Sequence, residues 1–241
     1  MSKLENINLS QQVANTIGKE IVSGDIPVGG ALPTEAQLSE TYGVSRTAIR
    51  EAVKILTSKG LISSKPRQGI RVEPEQQWNI YDAKILSWLL DSKPSLQVLK
   101  EFLQVRIAIE PQAASLAAAR ADKESIALIG KAMEEMRAVA DDDFEGLHEA
   151  DMNFHISLLN ASGNRFIYQF KDFIQTALNV SFQHTTPAKG SNNDVCNDHE
   201  KIYLAIANGQ VDRAKNMMIY LIDGALEVIE RKLEQQNNLS D

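Results

Sequence analysis

Asp151 and His155 stand four residues apart, and His199 follows later in the chain. On a helix, positions i and i+4 share a face, so this carboxylate and imidazole point the same way. One carboxylate with two imidazoles is a donor set for a divalent transition ion. The alternative is a hydrogen-bonded polar pair inside a helical bundle. Arg106 is a second candidate, lying in the apolar stretch from Phe102 to Ile109. A cation there needs a partner. That partner is either Glu110 at i+4 or the carboxylate of a bound molecule, which matches the parallel donors of a guanidinium. A third group is basic. From Val44 to Val72 the chain has Arg46, Arg50, Lys54, Lys59, Lys65, Arg67 and Arg71 against the single acid Glu51. Residues 76–241 carry 16 basic and 24 acidic side chains, and the whole chain is at −7. A basic segment on an acidic remainder predicts a polyanion-facing module attached to something else.

The elements that would position these residues are legible in the patterning. Residues 10–23 read as a helix on Val13, Ile17 and Ile21. Thr34 and Ser45 are helix N-caps. They start a short helix to about Tyr42 and a longer one carrying Ala48, Ile49, Ala52, Val53 and Leu56 on one face. Gly43 separates the two, which is the helix-turn-helix pattern. Its second helix enters the major groove N-terminus first, which places Arg46, Thr47 and Arg50 against bases and phosphates. After Gly60, residues 61–72 read as a β-hairpin with the basic tip Lys65, Arg67 and Gly69, a wing. Residues 1–72 are therefore a winged helix-turn-helix and 73–81 a linker. From 82 to 236 the period is helical, with segments at 82–92, 95–120, 122–140, 145–161, 164–184, 197–208 and 211–236. Pro111 predicts a kink in the second of these. The expected fold is mainly α, a winged helix followed by an all-α antiparallel bundle.

Composition narrows the function. The 241 residues suffice for two modest domains, and 43% hydrophobic content supports a core. The single Cys196 leaves no disulfide framework and fits a reducing compartment. No secretory h-region and no run long enough to span a membrane is visible, so a cytoplasmic protein is expected. P-loop, GxSxG and HExxH motifs are absent and no dedicated general base stands out, which argues against a metal-dependent enzyme. A nonspecific nucleoid protein would not need Arg106 or a histidine-lined bundle.

The stretch LPTEAQLSETYGVSRTAIREAVKILTSKGLI, closing in QGIRV, resembles the DNA-binding domain of the GntR family of bacterial regulators across residues 10–72. The resemblance implies a homodimer on a palindromic operator, contacted through Thr34, Ser45, Arg46, Thr47, Arg50, Lys65, Arg67 and Gly69. It departs at Ala36, where many members carry arginine, so one DNA contact is missing. Residues 82–232 resemble the FCD sensor domain of the FadR subfamily, through VRIAIEP at 105–111, DMNFH at 151–155 and DHE at 198–200. That likeness implies a divalent Zn, Ni or Mn ion on Asp151, His155 and His199. Leu221, beside Tyr220, falls where a third histidine is usual, which weakens the site. It also implies an acidic effector clamped by Arg106, with Asn164 and His184 as further pocket candidates and His148 at the surface. Residues 186–196 are expected to form a loop over the pocket, and Trp78 and Trp88 to pack the domains together. The pattern around Trp78 and Trp88, together with HEADMNFH, is most similar to the galactonate-operon repressor branch. That implies a sugar-acid effector such as an aldonate or hexuronate.

Overall fold

The computed structural model describes residues 9–91, 95–140, 143–185 and 192–238. The chain divides into two compact units, 1–93 and 94–241.

In the first unit, α1 (Leu9–Val22) buries Val13, Ile17 and Ile21, one stripe at i, i+4, i+8. It ends at Gly24, whose φ of +85° suits glycine. Then β1 (Ala31–Leu32) leads into α2 (Glu35–Tyr42). Thr34 and Gln37 form a reciprocal capping box at the start of α2, and Gly43 closes it in the left-handed conformation. Ser45 caps α3 (Arg46–Ser58), accepting from Ala48 N at 3.2 Å. Ile49, Ala52, Val53 and Leu56 face the core. Next, β2 (Ile62–Lys65) and β3 (Gly69–Val72) pair antiparallel, with Ile62 opposite Val72 and Lys65 opposite Gly69. The two residues of β1 add to β3, giving the order β1-β3-β2. A two-residue strand is too short to show an alternating pattern, so the sequence does not announce β1.

The stretch expected to be a linker belongs to this unit. Trp78 is buried in its core and donates Nε1–H to Glu73 O at 2.9 Å. The following helix, α4 (Ala83–Asp91), is expected from the sequence to open the C-terminal bundle. Instead it packs on α1, and Ile85 and Trp88 join the first unit's core. Helical periodicity shows that α4 has an apolar face but not which partner covers it. Gly18 supplies the seat, since a Cβ there would stand 2.4 Å from the Trp88 ring. Both tryptophans are thus core residues of the first unit.

The second unit is helical throughout its described residues. It comprises α5 (Leu96–Arg120), α6 (Lys123–Ala138), α7 (Phe144–Ala161), the short α8 (Arg165–Tyr168), α9 (Lys171–Thr185), α10 (Asn192–Ala207) and α11 (Val211–Asn238). Asp122, Asp143 and Asn164 cap α6, α7 and α8 through their side chains. The helix α5 runs unbroken past Pro111 and packs against α7, α9, α10 and α11. Its alanines Ala113, Ala114, Ala117 and Ala118 are buried, small enough for close approach of neighbours. Two boundaries differ from expectation. The single helix expected at 164–184 divides into α8 and α9 around Gln169. Residues 192–196, expected in a loop, are the first turn of α10, because Val195 and Cys196 continue its buried face. Residues 186–191 lie outside the described residues.

Candidate DNA-reading face and buried effector site

On the first unit, Ser45, Arg46, Thr47 and Arg50 are exposed at the N-terminal end of α3, opposite its apolar stripe. Thr34 and Ser45 spend their side-chain oxygens on capping, so each offers a helix N-terminus to a phosphate more than a hydroxyl to a base. Glu35, in the first turn of α2, accepts from Arg50 Nε at 2.9 Å. The contact goes through Nε, and the Arg50 side chain stays exposed. The hairpin tip exposes Lys65, Arg67 and Gly69. Arg67 and Gly69 both have positive φ, +65° and +76°, and the turn closes with Gln68 N donating to Lys65 O at 3.1 Å. Two other cations of the segment serve the fold. Lys59 pairs with Asp82 at 2.6 Å, and Arg71 donates to Gly29 O at 3.1 Å.

In the second unit, α5, α7 and α10 bring five charged or titratable side chains together in the core. Arg106 and Glu110 come from α5, Asp151 and His155 from α7, and His199 from α10; all five are buried. Among the described residues, Asp151, His155 and His199 are the group able to hold a metal ion, their ligand atoms within 4.8 Å of one another. The Nε2 atoms of His155 and His199 are 3.4 Å apart, and Asp151 Oδ1 is 2.9 Å from His199 Nε2 and 3.8 Å from His155 Nε2. Nitrogen and oxygen ligands about 2.0–2.1 Å from one ion stand roughly 3.0–3.4 Å apart, so two sides of this triangle are close to that spacing and the third, from Asp151 to His155, is longer. The outer nitrogens are already directed. His199 Nδ1 is 2.8 Å from Val195 O, and His155 Nδ1 is 2.5 Å from Glu110 Oε2. Val195 O fixes the His199 ring from behind, and Glu110 lies in close contact behind the His155 ring without a hydrogen bond at its Nδ1, so both Nε2 atoms turn inward. His199 Nε2 in turn faces a carboxylate, and that contact requires a positive species between them, a proton or a metal ion. The donor set fits a cation. Leu221 is buried and offers no ligand, and Tyr220 beside it is 63% exposed.

Arg106 is held within the protein. Its Nε donates to Glu110 Oε1 at 2.5 Å and its Nη2 to Oε2 at 3.4 Å, while Nη2 also lies 3.3 Å from His155 Nε2. Burial alone would push the Glu110 carboxyl up, but the charges of Arg106 and His155 and their hydrogen bonds prevail and hold it at about 2. Asp151 is likewise buried and likewise held below the usual range, by its hydrogen bond and charge interaction with His199.

The remaining candidates separate. Asn164 caps α8, its Oδ1 accepting from Phe166 N and Ile167 N at 3.0 and 3.4 Å. The side chain of His184 lies outside the described residues. His148, expected at the surface, is half-buried, with Nε2 2.7 Å from Asn179 Oδ1 on α9. Glu110 is visible in the sequence as a partner of Arg106 but not of His155, which arrives from another helix.

A winged helix joined to a helical unit with a buried polar site defines a ligand-responsive transcriptional regulator, not an enzyme. Residues 9–72 match the model of the bacterial regulatory proteins of the gntR family, and residues 101–224 match the FCD domain. The chain belongs to the FadR subfamily of the GntR family. It is 38% identical over 180 residues to the uncharacterized HTH-type transcriptional regulator YieP of Escherichia coli, covering 74% of this chain and 78% of that one. It is 31% identical over 217 residues to the galactonate operon transcriptional repressor of Escherichia coli, covering 90% and 94%. Among solved structures, Lar, which controls expression of the Listeria monocytogenes agr system, superposes with a TM-score of 0.56 at 19% identity, covering 95% of this chain and 99% of that one. That likeness speaks for the fold.

Proposed function

We propose that the protein is a homodimeric cytoplasmic repressor of a sugar-acid catabolic operon, released from a palindromic operator by an acidic sugar such as galactonate or a hexuronate. The observation that carries this reading is the buried cluster in which Arg106 stands 3.3 Å from an imidazole of a cation-sized donor triangle. A guanidinium and a divalent ion side by side are a receptor for a carboxylate flanked by hydroxyls. Asp151, His155 and His199 would hold Zn2+, Ni2+ or Mn2+, weakly because Leu221 gives no fourth protein ligand. The ion supplies positive charge and open coordination positions for the effector's oxygens. On DNA, Arg46 and Arg50 read base edges or phosphates, Thr47 lies beside them, Thr34 and Ser45 present helix N-termini, and Lys65, Arg67 and Gly69 form the wing contact. An effector that binds the DNA-free form more tightly empties the operator by that difference in affinity. The 31% identity to a galactonate operon repressor supports this effector class.

A gel shift on the region upstream of its own gene cluster tests the reading, with a panel of sugar acids and with or without a chelator. Operator binding that weakens with galactonate or a hexuronate is the expected result. Release by a different small carboxylate alone would change the effector class, and indifference to every acid would sink it.

A further inference from the structure

Glu110 is fully buried and contacts two side chains that come from different helices, Arg106 by hydrogen bond and His155 by close approach. One of its oxygens takes Arg106 Nε and the other faces His155 Nδ1, at 2.5 Å each. A guanidinium has two forked edges, and Glu110 occupies the one formed by Nε and Nη2. On the edge formed by Nη1 and Nη2, Nη2 also lies 3.3 Å from His155 Nε2, a contact that a metal ion on that nitrogen would replace.

We propose that Glu110 is the positioning residue of the buried site: one carboxylate orients both the His155 ring and the Arg106 guanidinium, so that Nε2 of the one addresses the metal ion and the terminal amino groups of the other address the small carboxylate bound beside it. An effector therefore does not displace Glu110 but binds on the opposite edge of Arg106. Metal uptake and carboxylate uptake depend on the same side chain, although Glu110 touches neither ligand. This rests on the reading of the cluster as an effector site.

Full-length protein is titrated with Co2+, whose visible d–d bands report ligand geometry, and with galactonate by thermal shift. In E110Q the Co2+ affinity is expected to fall roughly 10- to 100-fold with displaced bands, and the galactonate shift to disappear. E110D keeps the charge beside Arg106 but is one methylene short of spanning both partners. It is expected to lose at least one of the two bindings by about tenfold, and it decides the matter if E110Q does not fold by circular dichroism. Wild-type protein that takes up neither Co2+ nor galactonate overturns the site and Glu110's role with it. Wild-type uptake matched by folded E110Q or E110D, in affinity and in band position, overturns the role of Glu110 alone.

Discussion

Arg50 and Arg106 are both arginines held through Nε by a glutamate, one at the surface and one in the core. The difference in burial decides what each is worth. The Arg50–Glu35 pair is solvated, so it adds little stability. Arg50→Ala and Arg46→Ala are therefore expected to leave the melting temperature unchanged. Each should weaken operator binding by about 1–3 kcal/mol, measured by fluorescence anisotropy against operator and scrambled duplexes. An equal loss on both duplexes would identify a phosphate contact, not base reading. In the core, Glu110 and Asp151 are ionised more readily than in the unfolded chain. A depressed folded pKa gives stability that is present above the unfolded value and lost as pH falls through the folded one. The second unit is thus expected to lose stability as pH drops from about 4.5 toward 2. Acid titration followed by circular dichroism, comparing wild type with E110Q, reads this directly.

Among the elements, α1 to α3 and the wing follow from capping residues, glycine punctuation and apolar stripes, all of them local signals. The meeting of Asp151, His155 and His199 is half legible: the i, i+4 pair is written in one helix, whereas His199 needs the packing of α10 on the bundle. What the sequence withholds is the partner of each apolar face. Periodicity alone therefore places α4 in the wrong unit and runs α8 and α9 together as one helix. Trp88→Ala is expected to destabilise the first unit by about 3–5 kcal/mol, because α4 would lose its anchor over Gly18. Urea unfolding monitored through Trp78 would show it. At Gly60, φ is +75° and a Cβ would stand 2.1 Å from Gln77 O. Gly60→Ala should therefore cost more than the roughly 1–2 kcal/mol of left-handed backbone alone, seen as a lower melting temperature.

Across the whole molecule, charge is segregated, with a basic reading segment on a chain of net charge −7. Operator affinity is expected to fall steeply with salt, and replacing Lys65 and Arg67 by alanine should flatten the log–log slope by about 1 per lost phosphate contact. Linkage also runs both ways. Whatever factor an effector removes from operator affinity, operator DNA must remove from effector affinity. Calorimetry of the acid with and without operator duplex would measure it. The seat of Trp88 on Gly18 has a practical corollary for anyone who wishes to transplant this reading head onto a foreign sensor. The portable cassette does not stop at the end of the wing. A chimera cut after Val72 would strip the lid from α1 and leave its Gly18 groove bare to solvent, whereas a cut beyond Asp91 carries the whole head across intact.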